Sequence, residues 1–291
     1  MDYHLHENGW VVILDNFDFN TATQEDINKI AILLNTHGLI LARNQNVNLD
    51  SQVRLAKMFK DPKPLFPPGT FDYEHCSIEG TDGLVFRITG EKNEHGIDGI
   101  AGNTTLVTWH FDPFFPHLEC ILLMLNSVRG SSGSRTSFNN NMFSYRDLSD
   151  ELKSKIENLE MVLMRYIDFD HSLTYIDDRG NDWFKGTEVE NYTYKLVRTT
   201  HTGEKHLFFP FNQISRFAGM TREESYDLLV ELREFTTQEK YCYHHDWEDG
   251  DIVICDQFKG LHKRWPFDNI EYRLLYRSIF DYPLINYKDE L

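Results

Sequence analysis

The segment TWHFDPFFPHLE at 108–119 places a histidine two positions before an aspartate, His110-Phe111-Asp112. In extended backbone, residues i and i+2 point the same way. An imidazole and a carboxylate would then aim at one point while Phe111 faces the opposite layer. Two histidines and a carboxylate on one face of an octahedral ion, with open positions opposite, suit non-heme Fe(II) oxygen chemistry. His-x-Asp supplies two of these three ligands and requires a distant histidine for the third. By itself the motif is weak, because the chain has 13 histidines. His117-Leu118-Glu119 opens an apolar run, where either residue could face solvent. His244-His245-Asp246 precedes the turn WEDGD and reads as polar residues at a strand end.

A third ligand is offered by GDIVICDQFKGLHKRWPF, a Gly-Asp turn, an apolar strand, a short loop and then His262. The following IEYRLLYRSIFDY reads as another strand, and it and His262 as neighbours on a hairpin-like return. Within it Arg273, Leu275 and Arg277 share one face, opposite Tyr272, Leu274 and Tyr276. Burying two arginines on an inner strand costs several kcal/mol unless anions meet them. The pair therefore points to an anionic ligand inside the fold, or else to an exposed edge paired with acidic residues.

The elements that must position these residues are mostly strands. Runs rich in Val, Ile, Leu and aromatics, bounded by Gly, Pro, Asp or Asn, recur at 11–14, 38–43, 84–88, 120–128, 161–166, 194–200, 206–210, 251–256 and 272–282. Helices are fewer. TQEDINKIAILLNTHG opens with Thr23 and Asp26 in capping-box spacing and closes on Gly38, and LDSQVRLAKMFKDP ends before Pro62. TREESYDLLVELREF has Thr221 and Glu224 as a second capping box. Many strands with helices outside them predict a mainly β, α+β domain with a double-stranded β-helix, or jelly-roll, core. With no repeat or linker, residues 1–291 read as one domain. The acidic, aromatic stretch at 167–193 reads as a lid or, equally, a surface insertion.

Bulk properties narrow the partners. The formal net charge is −17 with no Lys/Arg-rich run, which argues against binding to phosphate backbones. No apolar run is long enough to span a bilayer. Four scattered cysteines without a C-x-x-C spacing, and no basic-then-apolar leader, suit a reduced cytoplasmic protein. The terminal KDEL matches an ER-retention address, but nothing directs entry to that pathway.

With His110, Asp112, His262 and Arg273 in view, the chain resembles the taurine dioxygenase-like (TauD/TfdA) family of Fe(II)/2-oxoglutarate-dependent oxygenases. The similarity covers most of the chain. HGLILARNQNV looks like the family's early strand, here ending in Arg43-Asn44-Gln45, and WHFD matches its Trp-His-x-Asp. GSRTSFNNNMFSYRDL, FNQISRFAGMTREESYDLLVEL and WEDGDIVICDQFKGLHKRW resemble its later segments. The two histidines lie 152 residues apart, and Arg273 lies 11 beyond the second, as the family expects.

The resemblance implies His110, Asp112 and His262 as iron ligands, and Thr136 with Arg273 holding the far carboxylate of 2-oxoglutarate. It implies Arg277 facing an anionic group of a small-molecule substrate, with Phe114 or Phe115 as an apolar wall or plain core. The implied cofactors are Fe(II), 2-oxoglutarate and O2. Asp112 favours hydroxylation, since a halogenating relative would carry a small residue there. Leu106, where the taurine enzyme has a polar substrate contact, argues against taurine as substrate.

Overall fold

Runs that read as strands in the sequence become the layers of a sheet-rich fold. The computed structural model describes residues 1–64, 68–69, 71–100, 102, 107–112, 122–165, 187–200 and 203–282. In chain order its first elements are β1 (Asp2–Leu5), β2 (Val11–Asp15), α1 (Gln24–His37), β3 (Leu39–Ala42), α2 (Leu49–Met58), β4 (Lys60–Lys63), α3 (Phe71–Cys76), β5 (Phe86–Ile88) and β6 (Val107–His110). Then come β7 (Leu122–Arg129), β8 (Arg135–Asn139), α4 (Asn141–Asp147), α5 (Asp150–Ile156), β9 (Glu160–Arg165), β10 (Thr187–Lys195), β11 (Val197–Thr199) and β12 (Lys205–Leu207). The last are β13 (Ile214–Phe217), α6 (Arg222–Thr236), β14 (Cys242–Asp246), β15 (Ile252–Asp256), β16 (His262–Arg264) and β17 (Leu274–Asp281).

Two sheets carry the architecture. The larger runs β1-β2-β3-β15-β7-β17-β4, with β5 also on β17; the smaller runs β14-β8-β16-β6. Period-2 alternation decides which residues meet between them. On β15, Val253 and Cys255 join Leu123, Leu125, Leu275, Phe138, Tyr243 and Trp247 in the interlayer core. Ile252 and Ile254 face the other way, onto Ile27, Ile30 and Leu34 of α1 and Leu55 of α2. A strand buried on both faces must be apolar throughout, which is why IVIC is continuous rather than alternating. A third cluster, with Phe111, Phe208, Phe217, Leu228 and Leu232, includes the apolar side chains of α6.

The capping boxes read from sequence are present at both long helices. Thr23 and Asp26 exchange hydrogen bonds at the start of α1, and Thr221 and Glu224 do so at α6. Gly38 closes α1 with φ +88°, a left-handed conformation that a side chain would strain. No helix among the described residues is long and apolar enough to cross a membrane.

Two expectations change. His262 and β17 are not a hairpin: β16 pairs with β6 and β8 in the smaller sheet, and β17 pairs with β7, β4 and β5 in the larger. The chain crosses between layers through residues 265–273, where Pro266 lacks the N–H that a continuing ladder needs. The stretch at 167–193 is not loop to its end. Residues 187–193 belong to β10, which pairs antiparallel with β9 through a register shift between Glu188 and Thr193. The rest of that stretch, and Phe114, Phe115, His117, Glu119 and Cys120, lie outside the described residues. Cys76, Cys242 and Cys255 are buried free thiols.

Candidate metal and co-substrate site

The inner face of the smaller sheet carries two rows of side chains, two residues apart along each strand. In the first, Tyr243, Phe138, His262 and His110 are successive ladder partners. In the second, His245, Thr136 and Arg264 are successive partners. β14, β8 and β16 thus contribute one residue to each row and β6 adds His110 to the first, so the distant histidine meets the local one through sheet register. Gly260 makes that register possible: a Cβ there would lie 2.2 Å from the Asn139 carbonyl oxygen.

His110 is the last residue of β6, so Asp112 lies just beyond the strand, not within it as expected. The carboxylate still turns back beside His110. Its Oδ1 is 3.7 Å from His262 Nε2 and 4.0 Å from His110 Nε2. All three residues are buried. Phe111 points away from the ligands into the third cluster, packing on Phe208 and Phe258 with ring centroids 5.7 Å away in each case. Two glutamines that the sequence reading missed hold this short segment. Gln213 donates its amide to the carbonyls of Phe111 (3.1 Å) and Asp112 (3.0 Å), and Gln257 Oε1 accepts from the Asp112 N–H (3.2 Å).

The donor set fits a divalent ion. One ligand atom from each of His110, Asp112 and His262 lies within 4.8 Å of the others. Cis ligands of an octahedral ion at about 2.1 Å are about 3 Å apart, so small side-chain rotations would close the triad. Burial, with His110 beside it, lowers the His262 imidazole to about 3, leaving it in the neutral form that ligates. Burial pushes the Asp112 carboxyl up, but Arg277 and the two imidazoles outweigh that and hold it below the usual range. The Arg277 guanidinium forms a buried ion pair with Asp112 Oδ2.

Arg273 and Arg277 are both on the inner side, 2% and 4% exposed, which excludes the exposed-edge alternative. Arg273 Nε and Nη1 have no hydrogen-bond partner among the described residues. Burial, with Arg264 nearby, lowers the Arg273 guanidinium to about 9, so it stays charged at neutral pH. Thr136 is buried and accepts a hydrogen bond from Trp247 Nε1 at 2.9 Å. The competing histidines are otherwise engaged. His244 contacts Ser137 Oγ (2.6 Å) and Glu239 (2.8 Å), and buried His245 lies 3.1 Å from Asp251.

Comparison with known proteins identifies the family. The family described as taurine catabolism dioxygenase TauD, TfdA family matches residues 3–279. An alpha-ketoglutarate-dependent 2,4-dichlorophenoxyacetate dioxygenase from Burkholderia sp. (strain RASC) is 27% identical over 247 residues, covering 82% of this chain and 80% of its own. An (S)-phenoxypropionate/alpha-ketoglutarate-dioxygenase from Sphingobium herbicidovorans is 25% identical, covering 83% and 81%. The crystal structure of AAD-2 in complex with Mn(II) and N-oxalylglycine superposes with a TM-score of 0.77 at 18% identity, covering 98% of this chain and 99% of that one. The chain belongs to the TauD/TfdA family and is a 2-oxoglutarate-dependent dioxygenase, an oxidoreductase whose cofactors are Fe(II), 2-oxoglutarate and O2.

Proposed function

We propose that the protein oxidises an unactivated C–H bond of a small anionic substrate, by hydroxylation. On this reading His110, Asp112 and His262 are the iron ligands, Thr136 and Arg273 hold the distal carboxylate of 2-oxoglutarate, and Arg277 receives the anionic group of the substrate. Phe114 or Phe115 would supply an apolar wall. The chain is one oxygenase domain, and the alternation of β6–β8 and of β14–β17 between the two larger sheets supports a double-stranded β-helix core. When bound, Fe(II), 2-oxoglutarate and O2 supply the oxidant, and succinate and CO2 are released. The protein's own part is to place the co-substrate and the target carbon.

The observation that carries the anionic substrate is a charge count. Three buried guanidinium groups, Arg264, Arg273 and Arg277, gather around one buried ligand carboxylate, Asp112. Fe(II) and dianionic 2-oxoglutarate cancel each other, so positive charge remains in excess in this buried cleft. A substrate carboxylate or sulfonate would neutralise it. Relatives named for phenoxyacetate and phenoxypropionate, both carboxylates, support that class. The test is a panel of aryl and alkyl carboxylates, their sulfonate analogues and their neutral amides, scored by substrate-dependent succinate release. Turnover of acids but not of the matched amides supports the reading. Equal turnover of amides, or acid turnover undiminished in Arg277→Met, overturns it.

A further inference from the structure

We propose that Trp247 is a positioning residue for the co-substrate, acting through Thr136; this rests on the reading that Thr136 and Arg273 hold the distal carboxylate of 2-oxoglutarate. An indole N–H can only donate. Because Trp247 Nε1 lies 2.9 Å from Thr136 Oγ1, the threonine oxygen must be the acceptor. That is the only side-chain hydrogen bond of Thr136 among the described residues, so its own O–H remains to be given elsewhere. A hydroxyl can ordinarily rotate to accept or to donate. Here the indole occupies one of the two lone pairs and turns the O–H away from itself, toward a carboxylate that can only accept.

The rest of the wall keeps the indole where it is. Trp247 is fully buried, and its backbone N–H donates to the Ser134 carbonyl at 3.0 Å. His245, the ladder partner of Thr136, meets the indole edge-on with centroids 4.5 Å apart at 84°. His245 Nε2 is 3.1 Å from Asp251 Oδ2, and its Nδ1 is 3.2 Å from the Tyr243 hydroxyl. Asp251 in turn accepts from Arg43 at 2.6 Å and from the Glu248 N–H at 2.9 Å.

The test compares 2-oxoglutarate with 2-oxobutyrate, which chelates identically but lacks the distal carboxylate. Affinities are measured by calorimetry on anaerobic, Mn(II)-loaded protein, with circular dichroism to confirm the fold. Trp247→Phe keeps an aromatic ring but removes the N–H; it is expected to weaken 2-oxoglutarate about tenfold and leave 2-oxobutyrate unchanged. On a Thr136→Val background, Trp247→Phe should have no further effect on 2-oxoglutarate. Thr136→Ser, whose hydroxyl stays on the indole, should remain within about twofold of wild type. Equal loss for both 2-oxo acids, additive losses in the double variant, or a Thr136→Ser loss as large as that of Thr136→Val would overturn the proposal. Should Thr136→Val and Arg273→Ala both bind 2-oxoglutarate like wild type, the co-substrate assignment itself falls, a result separable from failure at Trp247 alone.

Discussion

His262 and His110 are direct partners across an antiparallel ladder, with ring centroids 4.1 Å apart at 54°. Sheet register therefore does for this pair what a loop does for Asp112, and the two kinds of support fail differently. Removing either imidazole should abolish tight metal binding without unfolding the protein, since each strand keeps its backbone ladder. Calorimetry with Mn(II) against His110→Ala and His262→Ala checks this, with circular dichroism as the control.

Asp112 depends on amide groups rather than on a ladder. Gln213→Leu and Gln257→Leu each free backbone atoms of the ligand segment while leaving all three ligands in place. Metal affinity should fall about 10- to 100-fold in each, as for other groups that orient a ligand from behind. An unchanged Mn(II) affinity in both variants would show that the segment holds its shape without them.

The Asp112–Arg277 pair makes a stability prediction for the metal-free protein. Arg277→Met leaves a buried carboxylate without its counter-ion and should cost about 3 kcal/mol in a urea titration. Replacing both partners, Asp112→Leu with Arg277→Met, removes both buried charges and should recover most of that loss. If the double variant is less stable than Arg277→Met alone, the pair is not the source of the effect.

His206 predicts an acid limit on folding. Burial is the main cause that lowers its imidazole from 6.5 to about 4, only partly opposed by Asp256. The unfolded chain therefore binds the proton more readily than the folded one between those values. The stabilisation is complete above about pH 6.5 and is lost progressively as pH falls toward 4, to a total of about 3 kcal/mol. His206→Gln should flatten that limb of the stability–pH curve, measured by urea midpoints from pH 7 to 4.5. A slope identical to wild type would place the acid sensitivity elsewhere.

Sequence legibility followed chemistry more than position. The runs that became β15 and β17 were readable because burial on both faces, or an Arg-Leu-Arg alternation, leaves a strong pattern. β8 was not, because RTSFN is polar: Arg135 pairs with Asp246, Ser137 with His244 and Trp265, and Thr136 with Trp247. α4 was not read from the sequence either: asparagines favour turns, and here Asn140 caps the helix. At the site, His-x-Asp is local and visible, and the distant ligand followed from the strand-loop-His pattern. Gln213, Gln257 and Trp247 were invisible for a different reason. Their partners are main-chain atoms or a hydroxyl about a hundred residues or more away, and no residue type advertises such a contact. The hairpin misreading of His262 and β17 has the same root, because nearness in sequence says nothing about which sheet the next strand joins.

On the proposed reading, iron and 2-oxoglutarate are gathered between the two sheets, on His110, Asp112, His262, Thr136 and Arg273. The most direct measurement is an anaerobic titration of Fe(II)-loaded protein with 2-oxoglutarate, followed by the weak visible absorption of the chelate. Wild type should develop the band, Arg273→Ala should need far more 2-oxoglutarate to do so, and His262→Ala should show none. A folded, iron-loaded wild type that develops no band at saturating 2-oxoglutarate would contradict the account.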